Sequence, residues 1–362
     1  MYSFESLQQF ARQVFLRMGC PEAEAALAAE VLVAADLRGV DSHGIARLHG
    51  YVRLADLDRV NPRPNVQTVH ETPSTAVVDG DAGLGLVVAP QAMRLAVRKA
   101  QQAGTGWVAI RNSNHFGIAG YHAMLALPHD MIGLCMTNAG PLVAPTFSKD
   151  KLLGTNPIAV AVPAGTEPPF VADLATTTAA YGKLELLQRK ALPAPTGWVQ
   201  DAEGNPDVDP HAVRKGGALL PLGGDREHGS HKGYCLGAVV DSFSGVLSGA
   251  NYGAWVPPFA TAGFMASAAQ LGGAGTGHFV GAMRVDAFRP AEDFKAQMDN
   301  WIRTFREATP VPGAQAVLIP GDPERLLEAE RRKNGIPLLA SVAENLRELS
   351  ARFGIDAEFL KF

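Results

Sequence analysis

Residues 107–127 read WVAIRNSNHFGIAGYHAMLAL and predict a strand, a glycine-containing loop and a helix in succession. The strand is WVAIR, the loop is NSNHFG, and the helix runs from Ile118 to Leu127. A loop that joins a strand to a helix exposes free backbone N–H groups, which bind phosphates well. The dinucleotide-binding pattern G-x-G-x-x-G is nevertheless absent from the whole chain. This region therefore predicts an α/β protein that is not of the Rossmann type.

The same alternation of strand and helix continues on both sides of this region. Upstream, STAVVDG (74–80) predicts a strand and Val87–Gln102 predicts a helix. Downstream strands are predicted at MIGLCMTN (131–138), IAVAVP (158–163), FVADLA (170–175), FVGAMRVDAF (279–288) and QAVLIP (315–320). GWVQDAEGNPDVD (197–209) predicts a hairpin that turns at Gly204–Asn205. Downstream helices are predicted over Thr177–Lys190, Lys232–Leu247, Ala291–Glu307, Glu324–Lys333 and Leu338–Phe353.

The N-terminal part of the chain predicts helices without intervening strands. An amphipathic pattern covers Glu5–Met18, which is followed by a glycine, and a second helix is predicted over Glu22–Arg38, which follows a proline. A third helix is predicted from His43 to Leu57, with Asp41–Ser42 as its N-terminal cap. The sequence NPRPN (61–65) is typical of a linker. The predicted fold class is therefore α/β with a helical N-terminal region.

The composition of the chain excludes several functional classes. Of its 362 residues, 47% are hydrophobic and 19% are charged, which is enough to bury a large core. The net charge of −4 gives no attraction to nucleic acid or to an anionic membrane. The first residues, MYSFESLQQFARQVF, lack the apolar run of a signal peptide, and three scattered cysteines favour a reducing compartment. We therefore expect a cytoplasmic protein, and no metal site because no His-x-x-x-His pair occurs.

One long segment, Ser242–Met283, contains no Asp, Glu, Lys or Arg. A membrane span needs about 20 mostly apolar residues in a row, whereas this segment is interrupted by Asn251, by Pro257–Pro258 and by many glycines and serines. Depletion of charge is typical of a buried surface between subunits, and a core between two lobes is the alternative. The sequence therefore predicts that this segment is buried, either between the subunits of a homo-oligomer or between two lobes of one chain.

The sequence DSHGIAR (41–47) has the residue types that recognise and protonate a 2-oxo acid. His43 and Arg47 are four residues apart, which places them on one face if the segment is helical. An arginine binds a carboxylate through two parallel hydrogen bonds, and a histidine exchanges a proton near neutral pH. Ser42 can orient His43. An exposed helix start with a capping serine would give the same residues without any catalytic role.

Four other clusters have residue types that can bind a substrate or a cofactor. Asn112–Gly120 places His115 and two glycines at a helix start, although a flexible turn with a surface histidine explains it as well. Val171–Thr178 has three consecutive threonines beside free N–H groups, more than helix capping needs. Gly154–Pro157 is typical of a turn whose side chains can also hydrogen-bond. Gly229–Gly233 offers a lysine that either contacts a phosphate or belongs to a solvated loop.

The order of these clusters resembles that of the malate/L-lactate dehydrogenase family, which is unrelated to the Rossmann-type lactate and malate dehydrogenases. The resemblance rests on DSHGIARLHGY (41–51), NSNHFGIAGYHA (112–123), TNAGPLVAP (137–145), LLGTNPIAVAVP (152–163), VADLATTTAAYGKLE (171–185) and HKGYCLGAVVDSFSGVLSGA (231–250). It implies a mixed-sheet, non-Rossmann fold like that of malate/L-lactate and sulfolactate dehydrogenases, with the active site near a dimer interface.

The resemblance also implies a role for each matched residue. Ser42 and His43 resemble the relay and proton donor of the family, Arg47 its carboxylate anchor, and Thr155 a substrate contact. His115 resembles a residue to which some members assign a catalytic role. The residues that resemble cofactor contacts are His115, Phe116, Gly117, Ile118, Gly120, Asp173, Leu174, Ala175, Thr176, His231 and Lys232.

The implied activity is hydride transfer between NAD or NADP and a small 2-oxo or 2-hydroxy acid. The alternatives are reduction of a cyclic imine such as Δ1-piperideine-2-carboxylate, a ureidoglycolate-type dehydrogenase and an inactive binding homologue. The implied domains are a helical N-terminal region (1–65), a substrate and dimerisation domain (66–115 and 285–362) and a cofactor-binding domain (116–284). No nucleic acid or membrane partner is expected.

Overall fold

The computed structural model describes residues 1–259 and 273–358, which contain ten α-helices and ten strands. The helices are α1 (Phe4–Arg17), α2 (Glu22–Leu37), α3 (Leu48–Asp56), α4 (Gly85–Ala103), α5 (Ala119–Met124), α6 (Tyr181–Lys190), α7 (Ser230–Asp241), α8 (Ala291–Arg306), α9 (Asp322–Asn334) and α10 (Ala340–Phe353). The strands are β1 (Gln67–Glu71), β2 (Thr75–Asp79), β3 (Thr105–Ser113), β4 (Met131–Thr137), β5 (Ile158–Val162), β6 (Phe170–Leu174), β7 (Val199–Gln200), β8 (Pro206–Asp207), β9 (Ala218–Leu219) and β10 (Thr276–Arg284).

Seven strands form one mixed sheet in the order β1-β2-β3-β10-β4-β5-β6. Only β2 and β3 pair in parallel, and the other neighbours are antiparallel. The last strand in the chain, β10, is inserted between β3 and β4 and is buried over most of its length, as its apolar sequence predicts. The mixed α/β class is therefore confirmed. The sheet joins segments that the sequence assigned to two domains, so those domain boundaries stay a prediction.

The N-terminal helices form a core of their own. Buried apolar residues recur along α1 with the spacing of one helix face, from Leu7 to Phe15, and Ser3 caps the helix by accepting the Ser6 N–H over 3.1 Å. The same cluster includes apolar side chains of α2 and α3, and Val342, Leu346 and Leu349 of α10. The predicted helical N-terminal region is confirmed, and α10 packs against it from the other end of the chain.

The predicted third helix is wrong in its first turn. Asp41–Ser42 does not cap it: Asp41–His43 and Ile45–Arg47 are two short 3-10 helices, and α3 begins only at Leu48. Gly44 separates the two turns with φ −92° and ψ −144°, outside helical values. His43 and Arg47 therefore do not share one α-helical face, and their approach depends on the turn between them.

Three other predictions differ from the structure. QAVLIP (315–320) is not a strand: most of it is exposed, and Pro320 is joined to β6 by a single hydrogen bond, from the Val171 N–H to its carbonyl over 3.0 Å. The helix predicted from Thr177 starts at Tyr181, because Thr177 Oγ1 bonds the Ala179 carbonyl instead of a helical N–H. Strand β1 was missed because its five residues are all exposed and show no apolar alternation.

The uncharged segment divides into two different environments. Its last part, β10, lies at the centre of the sheet and belongs to the intramolecular core. Its first part continues α7 as a π-helical turn, Ser242–Val246, and leaves Phe243, Val246 and Leu247 between 40% and 62% exposed. Residues 260–272 of the segment lie outside the described residues. Among the residues that are described, no helix is both long and apolar enough to cross a bilayer.

Candidate active site

A cleft of about 1100 Å³ lies between the N-terminal helices, the β6 edge of the sheet, α6 and the segment that leads into α10. It brings together ten of the residues singled out in the sequence. They are Ser42, His43, Arg47, Gly117, Ile118, Gly120, Thr155, Asp173, Leu174 and Ala175. These residues come from four separate parts of the chain, so the cleft assembles most of the predicted site.

The Ser42–Arg47 turn carries a linked serine, histidine and arginine. Ser42 Oγ lies 2.9 Å from His43 Nδ1, and Arg47 Nε donates to the Ser42 carbonyl over 2.5 Å. Burial, and secondarily the positive charge of Arg47, lowers the pKa of His43 to about 4, so the imidazole is neutral near pH 7. The geometry therefore holds a neutral imidazole and a guanidinium beside each other on the cleft wall.

Arg47 is available to bind an anion. No carboxylate within residues 1–259 and 273–358 forms an ion pair with it. Its guanidinium carbon lies 5.8 Å from the ring centroid of Phe259, an arrangement that orients the planar group. A half-buried, unpaired guanidinium that faces a cleft is suited to a carboxylate ligand.

His115 lies behind His43 and does not line the cleft in the described residues. The two rings are stacked with their centroids 5.6 Å apart. Tyr51 Oη lies 2.6 Å from His115 Nδ1, and the Gly117 N–H donates to the same nitrogen over 3.3 Å, which assigns the ring proton to Nε2. Burial, and secondarily the neighbouring His43 and Arg47, lowers the pKa of His115 well below its usual range. His115 is therefore neutral and held from behind by Tyr51.

The loop after β3 meets the end of β6 at one side of the cleft. The Gly120 N–H donates to Asp173 Oδ2 over 2.7 Å, and a Cβ on Gly120 would lie 2.8 Å from that oxygen, so the approach requires glycine. This N–H is already paired and is not free to bind a phosphate. Asp173 is accessible from the cleft, yet the surrounding walls desolvate it and raise its pKa to about 6.

The remaining predicted residues lie deeper or elsewhere. Phe116 is buried between the rings of two histidines, with centroid distances of 4.5 and 4.7 Å. Thr176 is buried and donates its N–H to the Thr155 carbonyl over 2.9 Å, so it supports Thr155 from behind. His231, which lies 2.6 Å from a guanidinium nitrogen of Arg226, and the exposed Lys232 occupy the first turn of α7, outside the cleft lining that the structure describes.

Sequence reasoning did not single out several residues that line the cleft or support it from behind. Tyr51 stands four residues after Arg47 in the motif DSHGIARLHGY, and this spacing was a signal for it. Phe259, whose ring contacts Tyr51 and His115 with centroids 5.2 and 4.7 Å away, had no local signal. Lys183 is exposed into the cleft next to Gly182, where a Cβ would lie 2.7 Å from the Ser42 Cβ.

In the described part of the chain, no group of three or more His, Cys, Asp or Glu side chains is arranged to hold a metal ion. The three cysteines are all free, and two of them are buried.

Stability should fall in mild acid because two buried histidines support the loop that carries Phe116. Burial lowers the pKa of His122 to about 4 and that of His278 to about 3, whereas an unfolded histidine titrates near 6.5. Below pH 6.5 the unfolded chain binds protons that the folded chain does not, so the free energy of unfolding falls by up to about 1.4 kcal/mol per histidine per pH unit. Urea unfolding between pH 7 and 4.5 measures the slope.

The variant His122→Gln should reduce this pH slope, whatever it does to the stability at pH 7. His70→Gln is the matched control, because His70 is exposed on β1 and should leave the slope unchanged. Equal slopes for His122→Gln and the parent protein would show that burial does not suppress the protonation of His122.

Comparison with known proteins agrees with the fold. The sequence profile described as malate/L-lactate dehydrogenase matches residues 2–347. The malate dehydrogenase of Pyrococcus horikoshii is 41% identical over 97% of this chain and 95% of its own length. The L-sulfolactate dehydrogenase of Methanocaldococcus jannaschii is 38% identical over 98% of this chain and 97% of its own length. The solved structure of delta1-piperideine-2-carboxylate reductase from Pseudomonas syringae superposes with a TM-score of 0.82 at 28% identity, covering 96% of this chain and 99% of that one.

Fold, cleft and relatives together define the chain as an α/β oxidoreductase without a Rossmann fingerprint. It belongs to the malate/L-lactate dehydrogenase family. Dehydrogenases of this family depend in general on pyridine nucleotides.

Proposed function

We propose that the chain is an NAD(P)-dependent 2-hydroxy-acid dehydrogenase, or equivalently a 2-oxo-acid reductase. The observation that carries the proposal is the Ser42–His43–Arg47 arrangement, in which a neutral imidazole and an unpaired guanidinium face one cleft. A 2-oxo acid has its carbonyl oxygen next to its carboxylate. Arg47 binds the carboxylate, and the carbonyl oxygen then lies toward the imidazole.

The cleft residues after β3 and at the end of β6 fit a nicotinamide cofactor. Ile118, Leu174 and Ala175 give apolar surface, and Asp173 combines an accessible carboxylate with a buried N–H partner, which suits a ribose hydroxyl. When bound, the nicotinamide supplies or accepts the hydride. The proposal covers both NAD and NADP, because the sequence has no acidic residue at the Rossmann-type position that selects between them.

His43 is the proposed proton donor to the carbonyl oxygen in the reductive direction. The positive charge of Arg47 contributes to its low pKa in the free protein. A carboxylate bound to Arg47 neutralises that charge, so substrate binding raises the proton affinity of the imidazole. After donation the imidazole is neutral, and the Ser42 hydroxyl, 2.9 Å from Nδ1, fixes its orientation. Tyr51 and His115 support the ring from behind.

A panel of 2-oxo acids and cyclic imines, each with NADH and with NADPH, tests this function. We expect oxidation of one of the two cofactors with at least one 2-oxo acid, followed by absorbance at 340 nm. Turnover of cyclic imines alone would favour the imine reductase, and turnover of ureidoglycolate in the oxidative direction would favour the ureidoglycolate-type enzyme. No turnover with any compound would favour the inactive homologue.

A substrate with a second anionic group should depend on Lys183. This lysine is exposed into the cleft at the first turn of α6, which contacts Ser42, and it forms no ion pair within the described residues. Lys183→Met should raise KM for oxaloacetate about 10-fold, because the variant loses one charge-assisted hydrogen bond to the second carboxylate. KM for pyruvate, which has no second carboxylate, should stay unchanged. Lys190→Met, at the other end of α6, is the control and should change neither value. Equal effects on both acids would remove Lys183 from side-chain recognition.

We also propose a homodimer that covers the apolar surface after α7. Phe243, Val246 and Leu247 are exposed together there, in the segment without charges. Light scattering at micromolar concentration should give twice the chain mass of 38.2 kDa, and a combined Val246→Glu and Leu247→Glu variant should shift the mass toward one chain. Leu192→Glu, at a comparably exposed leucine outside the segment, should not. A parent protein of 38.2 kDa would contradict the dimer.

A further inference from the structure

Asp36 is a buried carboxylate directly beneath the Ser42–Arg47 turn. Its residue is 1% exposed, in the last turn of α2, and its Oδ2 accepts the Ile45 N–H over 2.6 Å. A Cβ on Gly44 would lie 2.1 Å from the same oxygen, so the turn closes onto this carboxylate only because residue 44 is glycine.

Arg331 of α9 holds the same region from the other side. Its guanidinium is buried, donates to the backbone carbonyl of Asp36, and forms an ion pair with Asp41 at the start of the turn. The turn that carries His43 is thus fixed at two points, by the Asp36 carboxylate after it and by the Arg331–Asp41 pair before it.

The Ile45 N–H is the backbone group through which Asp36 contacts the turn. It is the first N–H of the 3-10 helix Ile45–Arg47, and it lies in the chain between His43 and Arg47. A carboxylate that accepts this N–H acts as the N-terminal cap that the turn lacks locally, since no residue of the turn provides one. The relative position of the imidazole and the guanidinium therefore depends on a residue of the preceding helix.

Burial of a carboxylate is unfavourable unless its hydrogen bonds compensate. Burial, and secondarily the neighbouring Asp41, raises the pKa of Asp36 well above its usual range, and the Ile45 N–H and Arg331 oppose this.

We propose that Asp36 is a positioning residue, which fixes the geometry between His43 and Arg47 through the Ile45 N–H. This inference rests on the proposed function, because it assigns Asp36 a role in the same reaction. Asp36 does not contact the reacting atoms and acts only through the turn.

The test compares Asp36→Ala with Asp36→Asn, using the 2-oxo acid and cofactor of highest activity in the panel. The alanine variant loses the acceptor, and displacement of catalytic groups by about 1 Å lowers rates by about 10²-fold, so we expect kcat/KM to fall by that order. KM for the oxo acid should rise while the Kd for NAD(P)H, from fluorescence titration, stays within about 2-fold. Asparagine keeps an amide oxygen for the Ile45 N–H and should restore most of kcat/KM.

Asp299→Ala is the matched control. Asp299 is also buried and accepts the N–H groups of Gly165, Thr166 and Glu167 over 2.8 to 3.1 Å, but it lies on α8, outside the cleft lining. Its loss should lower the melting temperature and leave kcat/KM unchanged. A purely structural role for Asp36 predicts the same behaviour for Asp36→Ala as for this control.

If Asp36→Ala does not fold, Gly44→Ala provides the second test, because its Cβ would collide with the Asp36 carboxylate and displace the turn from the other side. We expect the same selective fall in kcat/KM with unchanged Kd for NAD(P)H. Unchanged kcat/KM in a folded Asp36→Ala or in Gly44→Ala would overturn the inference. Absence of activity in the parent protein would instead refute the proposed function, so the two failures are distinguishable.

Discussion

His43→Ala should lower the rate of 2-oxo-acid reduction by about 10²–10⁴-fold, the usual contribution of a general acid. His43 lines the cleft beside Arg47, whereas His115 lies behind it with its Nδ1 bonded to Tyr51. Loss of the proton donor should leave the Kd for NAD(P)H unchanged, because the cleft residues proposed to bind the cofactor, Ile118 and Asp173–Ala175, belong to other segments of the chain. Steady-state rates and fluorescence titration of the cofactor measure the two quantities separately.

The pH dependence gives an independent check on the same residue. The pKa of His43 in the free protein is about 4, and kcat/KM reports the groups of the free enzyme. Oxidation of the hydroxy acid needs the neutral imidazole as a base, so its kcat/KM should rise with pH through about 4 and level off above about 5. Reduction needs the imidazolium, so its kcat/KM should fall over the same range. His43→Ala should remove both the rise of kcat/KM for oxidation and the fall of kcat/KM for reduction in this pH range.

Comparison with His115→Ala shows which of the two histidines is the proton donor. We expect it to disturb the support of His43 and the Gly117 loop, and so to weaken NAD(P)H binding as well as turnover. If His43→Ala keeps most of its turnover, and His115→Ala abolishes turnover with intact NAD(P)H affinity, then His115 is the acid.

Arg47→Lys should raise KM for the oxo acid by about 10- to 100-fold, since a charged hydrogen bond contributes about 1.5–3 kcal/mol. Lysine keeps the charge but loses the planar fork that binds a carboxylate at two points. It also loses the Nε–H that donates to the Ser42 carbonyl over 2.5 Å, so the orientation of the turn changes as well. Initial-rate kinetics at saturating cofactor measure the effect.

Arg12→Lys is the control for this substitution, because Arg12 pairs with Glu22 on the surface of the N-terminal helices. It should leave KM and kcat unchanged. A KM for Arg47→Lys within 2-fold of the parent value would exclude Arg47 as the carboxylate anchor. A large rise in the Kd for NAD(P)H would show that Arg47 serves the cofactor instead.

Local sequence patterns predicted most of the regular elements. Apolar spacing, with glycine or proline at the ends, located α1, α2, α8 and the hairpin of β7 and β8 to within a few residues. These elements depend on hydrogen bonds between near neighbours and on one buried face, which the local sequence contains. The strand predicted at 315–320 was wrong for the converse reason: an apolar run predicts a strand, but a single hydrogen bond, from the Val171 N–H to the Pro320 carbonyl, joins this run to the sheet edge.

The sequence by itself determined the family of this protein, its mixed α/β class with a helical N-terminal region, and Ser42, His43 and Arg47 as the principal candidates. Only the tertiary structure decided how they meet. Tyr51 reaches His115 across 64 residues and Asp173 reaches Gly120 across 53, because the N-terminal helices pack against α4 and α5 packs against β6. It also placed Asp36 beneath the turn. Such contacts depend on the packing of whole elements, which no local pattern of residues encodes.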